Sequence, residues 1–201
     1  MIRPALVAMT LCLACSSHAH AQWSAPAFMP PRPGDEIGLY LSSIENFGVQ
    51  AVWRQTGNLN LGLRGGWIDG PTDGGAVVAV ESWGLLLPAG VVMPVNVAWT
   101  LGAGAVIDDG TSLEVPVGVS AGITPAFGPL TVQLYAHPRL ALIMRMGRDE
   151  PDETEIGGLF DLGAEFMTGG GLKVRLGGTL GSFNALGLGL AVPWGRGVEI
   201  R

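Results

Sequence analysis

Residues 130 to 145 read LTVQLYAHPRLALIMR. The even positions are Leu130, Val132, Leu134, Ala136, Pro138, Leu140, Leu142 and Met144; the odd ones are Thr131, Gln133, Tyr135, His137, Arg139, Ala141, Ile143 and Arg145. Successive side chains of a β-strand point to opposite faces, so this is one long strand with a wholly apolar side. Its other side carries a histidine and two arginines. The fold turns on which solvent meets the apolar side.

The chain opens MIRPALVAMTLCLACSSHAHA, with a positive Arg3, an apolar run from about Ala5 to Cys15, and small residues at Ala19 and Ala21. This reads as a secretory signal peptide, with cleavage expected after Ala21. The run is too short for a spanning helix. Cys15 hints at a lipoprotein site, ranked lower because Cys12 stands three before it where leucine is usual. Cleavage removes both cysteines, and with them any disulfide or thiol chemistry. It also removes Arg3, leaving 10 basic residues against 17 acidic, a net charge of −7 that gives nucleic acid nothing to bind. His137 becomes the one histidine of the mature chain.

All 32 glycines fall in the mature part, more than twice the usual share. Mean hydropathy is +0.38 and only 14% of residues are charged, yet no stretch after the leader holds twenty consecutive apolar residues. Such an exported chain is either a soluble all-β protein or a β-barrel in a membrane.

Residues 22–34, QWSAPAFMPPRPG, read as a proline-rich, poorly ordered periplasmic lead-in. Residues 35–201 form the barrel domain. Ten alternating runs follow, with eight to twelve strands allowed: about 35–43, 48–55, 59–68, 75–87, 91–107, 112–124, 130–145, 156–168, 171–181 and 185–194. Odd connections hold SIENF, DGPTDGG, DDGT, MGRDEPDETE and SFN, and with them nearly all the loop acids. Even ones are TGN, PAG, PAFGP and GG. Long outer loops alternating with tight periplasmic turns give this parity.

The faces repeat the pattern of the opening strand. Leu186, Leu188, Leu190 and Val192 alternate with small residues; Leu172, Val174 and Leu176 alternate with Lys173, Arg175 and Gly177. A soluble barrel would cover its second face with lysine and glutamate. Here that face is mostly glycine, alanine and serine with isolated charges, which suits a crowded lumen, and the bulky residues then face lipid. The expected lumen network is Arg64, Glu114, Tyr135, His137, Arg139, Arg145, Asp161, Glu165, Lys173 and Arg175, with Glu36, Tyr40, Gln50, Arg54, Glu81, Thr100 and Ser120 facing the same way. Arg139 and Arg145 are expected to pair with Asp161 and Glu165, and these with Lys173 and Arg175, because unpaired buried charge is costly. Trp53, Trp67, Trp83, Trp99 and Trp194 fit an interfacial belt; Trp23 precedes the barrel and finds no place in it.

With these features the chain resembles small bacterial outer-membrane β-barrel proteins over roughly residues 35 to 194. The resemblance is architectural and implies an all-β, antiparallel up-and-down transmembrane barrel in the cell outer membrane. Lipid and the barrel-assembly machinery are the partners it implies. Two departures stand out. The chain runs on past Trp194 through GRGVEIR where the group ends on an aromatic residue, and Pro94, Pro116 and Pro138 interrupt strands, with Pro138 the expected place for a bulge.

Motifs for chemistry are sparse. There is no CxxC, HExxH or phosphate loop, and GAGAVIDDG has Ile107 where a third dinucleotide-fold glycine would stand, so no cofactor and no catalytic residue are expected. His137, in mid-strand, is far from the outer mouth where omptin proteases carry their catalytic groups. Asp149, Glu150, Asp152, Glu153 and Glu155 make an acidic outer loop that could take a divalent cation, although the spacing matches no EF-hand and no defined metal site is expected. The expected function is therefore a non-enzymatic barrel in a structural or small-passage role; the alternative is a soluble, exported lipocalin-like barrel holding an apolar ligand.

Overall fold

The computed structural model describes residues 23–43, 47–69, 75–108, 110–128, 130–147, 152–182 and 184–195. The alternating runs become β1 (Glu36–Ser43), β2 (Gly48–Gln55), β3 (Leu61–Ile68), β4 (Gly75–Leu87), β5 (Asn96–Ile107), β6 (Thr111–Ile123), the two-residue β7 (Ala126–Phe127), β8 (Leu130–Met146), β9 (Glu153–Met167), β10 (Lys173–Gly181) and β11 (Ala185–Pro193). Each long strand pairs antiparallel with the next; β6 passes β7 to pair with β8, and β1 pairs with β11 from Glu36↔Pro193 to Ser43↔Leu186. The result is a closed, ten-stranded antiparallel barrel, with β7 folded back on the start of β8. Closure leaves each of the ten long strands, as far as the described residues go, paired on both sides.

Register keeps the two faces in step around the wall. Leu41, Leu188, Leu176, Ala164, Leu134 and Ile123 are successive cross-strand partners, and all point outward. The adjoining inward row is Ser42, Gly187, Gly177, Gly163, Tyr135 and Gly122. Outside, Leu39, Leu63, Leu101, Leu140, Leu162 and Leu190 are all exposed. Inside, five cations (Arg54, Arg64, Arg139, Lys173, Arg175) and five anions (Glu36, Glu81, Glu114, Asp161, Glu165) are buried. A soluble lipocalin-like barrel has the opposite arrangement, so that alternative is overturned. An apolar outer wall of this extent around a charged interior is the arrangement of a membrane-spanning barrel.

Three local expectations change. Pro94 lies in the turn before β5, so that strand begins at Asn96. Pro138 removes a donor without shifting the register, since Gly118↔Arg139 and Ala121↔Ala136 lie on one continuous ladder; the irregularity is instead in β4, between Leu85 and Leu87. Trp83 shares its strand parity with Glu81 and turns inward, where it packs on Ala27 and Met29, while Trp67, Trp99 and Trp194 stay on the outer wall.

The largest difference concerns the proline-rich segment. Residues 23–31 are not a loose lead-in: they enter the barrel and are buried, forming a strap along the lumen. Pro31 lies against Gly122 near the end where β1 starts, and Trp23 reaches Ile68, Val77 and Val106 near the opposite end. Glycines of the inward row make the room. A Cβ on Gly177 would sit 3.2 Å from the Phe28 ring, and one on Gly104 would sit 2.7 Å from the Trp23 ring.

Candidate functional site

The lumen wall grips the strap mainly by its backbone. Gln50 Nε2 donates to the Trp23 carbonyl at 2.9 Å, Arg139 Nη2 to the Ser24 carbonyl at 2.9 Å, and Ser120 Oγ to the Met29 carbonyl at 2.7 Å. Arg64 Nη2 donates to the Ala27 carbonyl. The Ser24 hydroxyl bonds Glu114 and accepts from Arg139. The Phe28 ring stacks on Tyr40 with centroids 4.8 Å apart, and Arg64 lies over the Trp23 ring. Buried backbone polar groups must find partners. Here four carbonyls do, those of Trp23, Ser24, Ala27 and Met29, and Pro26, Pro30 and Pro31 have no N–H to satisfy.

Charges pair in two groups. In the first, Glu36 accepts from Arg54 (2.8 Å), Lys173 (2.9 Å) and Arg175 (2.5 and 2.8 Å), Arg54 and Arg64 share Glu81 at 2.6 and 2.8 Å, and Arg175 Nε reaches Glu165 at 2.6 Å. In the second, Arg139 holds Asp161 through two hydrogen bonds of 2.8 and 3.3 Å and lies 3.6 Å from Glu114. Lys173 thus meets Glu36, not Asp161 or Glu165. Tyr135 is buried against Gly163. Arg145 departs from the expected ladder: it sits at the rim and pairs with Glu155 at 2.6 Å and Glu153 at 3.7 Å. Those pairings turn Glu153 and Glu155 toward a cation already in the protein. Asp152 is exposed, and Asp149 and Glu150 lie outside the described residues. Among the described residues no group of three or more acids, histidines or cysteines is placed to hold a metal ion.

His137 belongs to the second group. Its Nε2 is 2.7 Å from the Thr100 hydroxyl. Its Nδ1 is 3.2 Å from Asp161 Oδ2 but lacks the alignment of a hydrogen bond. Asp161 is fixed from the other side by Thr179 at 2.5 Å and by Arg139. A cavity of about 20 Å³, lined by Thr100, His137, Arg139, Arg64, Ser24 and Trp23 among others, adjoins the hydroxyl. That is room for one water. A far larger concavity of about 1260 Å³ is lined by outward leucines such as Leu134, Leu162, Leu176 and Leu186 and the glycines between them. It belongs to the apolar wall, with Ser42, Ser43 and Tyr135 the hydroxyl-bearing residues of its lining.

The alternating period identifies which residues face the lumen, Thr100 among them. It cannot pair Thr100 with His137, since 37 positions separate them and strand tilt decides the meeting. The strap has no period to betray it.

No protein-family model matches this chain, and neither does any curated protein. Among solved structures it is similar to that of the outer membrane enzyme PagL: 10% identity, 79% of this chain and 99% of that one covered, TM-score 0.43. No residue role or activity carries across at that level. The expectation of a non-enzymatic barrel in a structural or small-passage role is nevertheless not upheld: its local ground is gone, since His137 Nε2 lies 2.7 Å from a hydroxyl and Nδ1 3.2 Å from a carboxylate.

Proposed function

We propose that the chain is exported by a signal peptide cleaved after Ala21, is inserted into the outer membrane by the barrel-assembly machinery, and acts there as a hydrolase of acyl-type carbonyl compounds. The observation that carries this reading is the Thr100 hydroxyl 2.7 Å from His137 Nε2, both buried in the lumen. A weak hydroxyl nucleophile needs an adjacent base, and a base needs a group that orients it. His137 is that base; Asp161, 3.2 Å from its other nitrogen but not hydrogen-bonded to it, is the carboxylate that a small turn of the ring would bring into the orienting position.

For an ester, Thr100 Oγ1 bonds to the carbonyl carbon while its proton passes to His137 Nε2. The charge developing on the carbonyl oxygen meets the guanidinium groups of Arg139 and Arg64 beside the cavity. The alcohol leaves with the proton from His137. Water then cleaves the acyl-threonine, releasing the acid and restoring the hydroxyl. The strap covers this centre, so turnover requires it to move.

The reading is tested with protein folded in detergent, its strap cut at the base by a site-specific protease and washed away, then treated with a fluorophosphonate probe. An adduct mapped to Thr100 by mass spectrometry, and lost in Thr100→Val, is expected. A folded, strap-free barrel that takes no probe would overturn the assignment.

A further inference from the structure

The strap is the clearest statement of what this lumen recognises. Its four held carbonyls are read by donors from four different staves: Gln50 on β2, Arg64 on β3, Ser120 on β6 and Arg139 on β8. A wall that only needed filling would meet the segment with apolar side chains. This one supplies hydrogen-bond donors at intervals along an irregular backbone, turned at Trp23–Ser24 and left-handed at Phe28, so that the main chain makes much of the contact. The partner chemistry is asymmetric in the same sense, since Pro26, Pro30 and Pro31 delete N–H groups while leaving carbonyls for the donors.

Two further features set the ligand's class. Trp23 and Phe28 occupy separate recesses: Trp23 among Ile68, Val77, Ala79 and Val106, and Phe28 against Tyr40 above Gly177. Charge agrees as well. The five buried cations and five buried anions of the wall neutralise each other, and WSAPAFMPP, residues 23–31, carries no charge at all. The strap joins the barrel only at one end, through residues 32–35, of which Arg32 is exposed.

We infer that the lumen is a binding site for an uncharged, proline-containing peptide with aromatic residues five positions apart, and that the strap is its resident occupant in cis. Tethering gives the strap a high effective concentration, so it fills the site in the intact chain. Once untethered it is an ordinary ligand and exchanges. The inference stands on the strap's bonds and recesses, independent of the Thr100 chemistry.

The test begins with the full chain carrying a specific protease site inserted between Pro33 and Gly34, folded first and cut afterwards, so that folding is never asked of a strapless barrel. A fluorescent synthetic peptide of residues 22–33 is then added and its anisotropy followed. Saturable binding is expected, with release of the cut strap detected by mass. The same peptide with Trp23→Ala and Phe28→Ala should bind at least tenfold more weakly. Failure of the labelled peptide to enter, or entry indifferent to those two aromatics, overturns the inference. A barrel that exchanges peptide but takes no fluorophosphonate keeps this site and loses the hydrolase reading; the reverse result does the opposite.

Discussion

Arg139 on β8 and Asp161 on β9 meet across the barrel wall through two hydrogen bonds, Nε to Oδ2 at 2.8 Å and Nη2 to Oδ1 at 3.3 Å, both side chains closed to solvent. The same guanidinium serves Glu114 and two atoms of Ser24. Removing one partner of a buried pair strands the other. Arg139→Ala should therefore cost about 3–5 kcal/mol, measured by guanidinium unfolding in micelles with heat-modifiable mobility as the readout of folding. Asp161→Asn should cost less, since Glu114 still faces Arg139. The double variant should fall short of the sum of the singles; simple additivity would show that the two groups are not coupled.

Legibility in the sequence follows from period. In 130–145 the face of every residue is set by the strand's two-residue repeat, so alternation alone turns Tyr135, His137 and Arg139 inward. Trp83 obeys the same rule, two positions from Glu81, but its amphipathic ring suits a membrane belt equally well and the chemistry points the wrong way. The strap is not legible. QWSAPAFMPPRPG has no period, and its prolines serve equally in a solvated lead-in and in a lumen whose carboxylates are mostly paired with its own cations. One trace of it does exist: the glycines at 177 and 187 leave a volume that the Phe28 ring of the strap fills.

Gly177 tests that volume. The three atoms nearest a Cβ there all belong to the strap, at 3.2 Å and 3.4 Å in the Phe28 ring and 3.5 Å in Pro26. Gly177→Leu should overpack the lumen by about 1–3 kcal/mol and expel the strap while the barrel stays closed. Limited proteolysis should then cut within residues 23–31 in a protein that still shows folded mobility. Adding Phe28→Ala should restore protection; a strap that remains protected in Gly177→Leu would mean the ring and the glycine are not in contact.

Thr100 separates structural from chemical roles. Thr100→Val leaves His137 Nε2 without its hydroxyl partner, and a stranded buried polar group costs about 1–3 kcal/mol. Thr100→Ser keeps the hydroxyl. It should unfold within experimental error of the parent and still take the fluorophosphonate once the strap is removed. A loss of stability in Thr100→Ser with none in Thr100→Val would place the role of Thr100 in its methyl group and not in its hydrogen bond.

The outer wall makes the remaining prediction, because the sign of one substitution depends on the solvent. Leu176 is exposed, in mid-strand, flanked across the ladder by Leu188 and Ala164. In a bilayer, Leu176→Arg places a guanidinium among acyl chains and should cost about 2–4 kcal/mol, read from reversible unfolding in lipid vesicles. The cost should shrink in short-chain detergent, where water reaches the wall. The inward neighbour Arg175 already pairs with Glu36 and Glu165, so the new charge has no anion within the barrel to turn toward. A wall facing water would gain solubility from the same change at no cost in stability, and that result would reverse the assignment of the two faces.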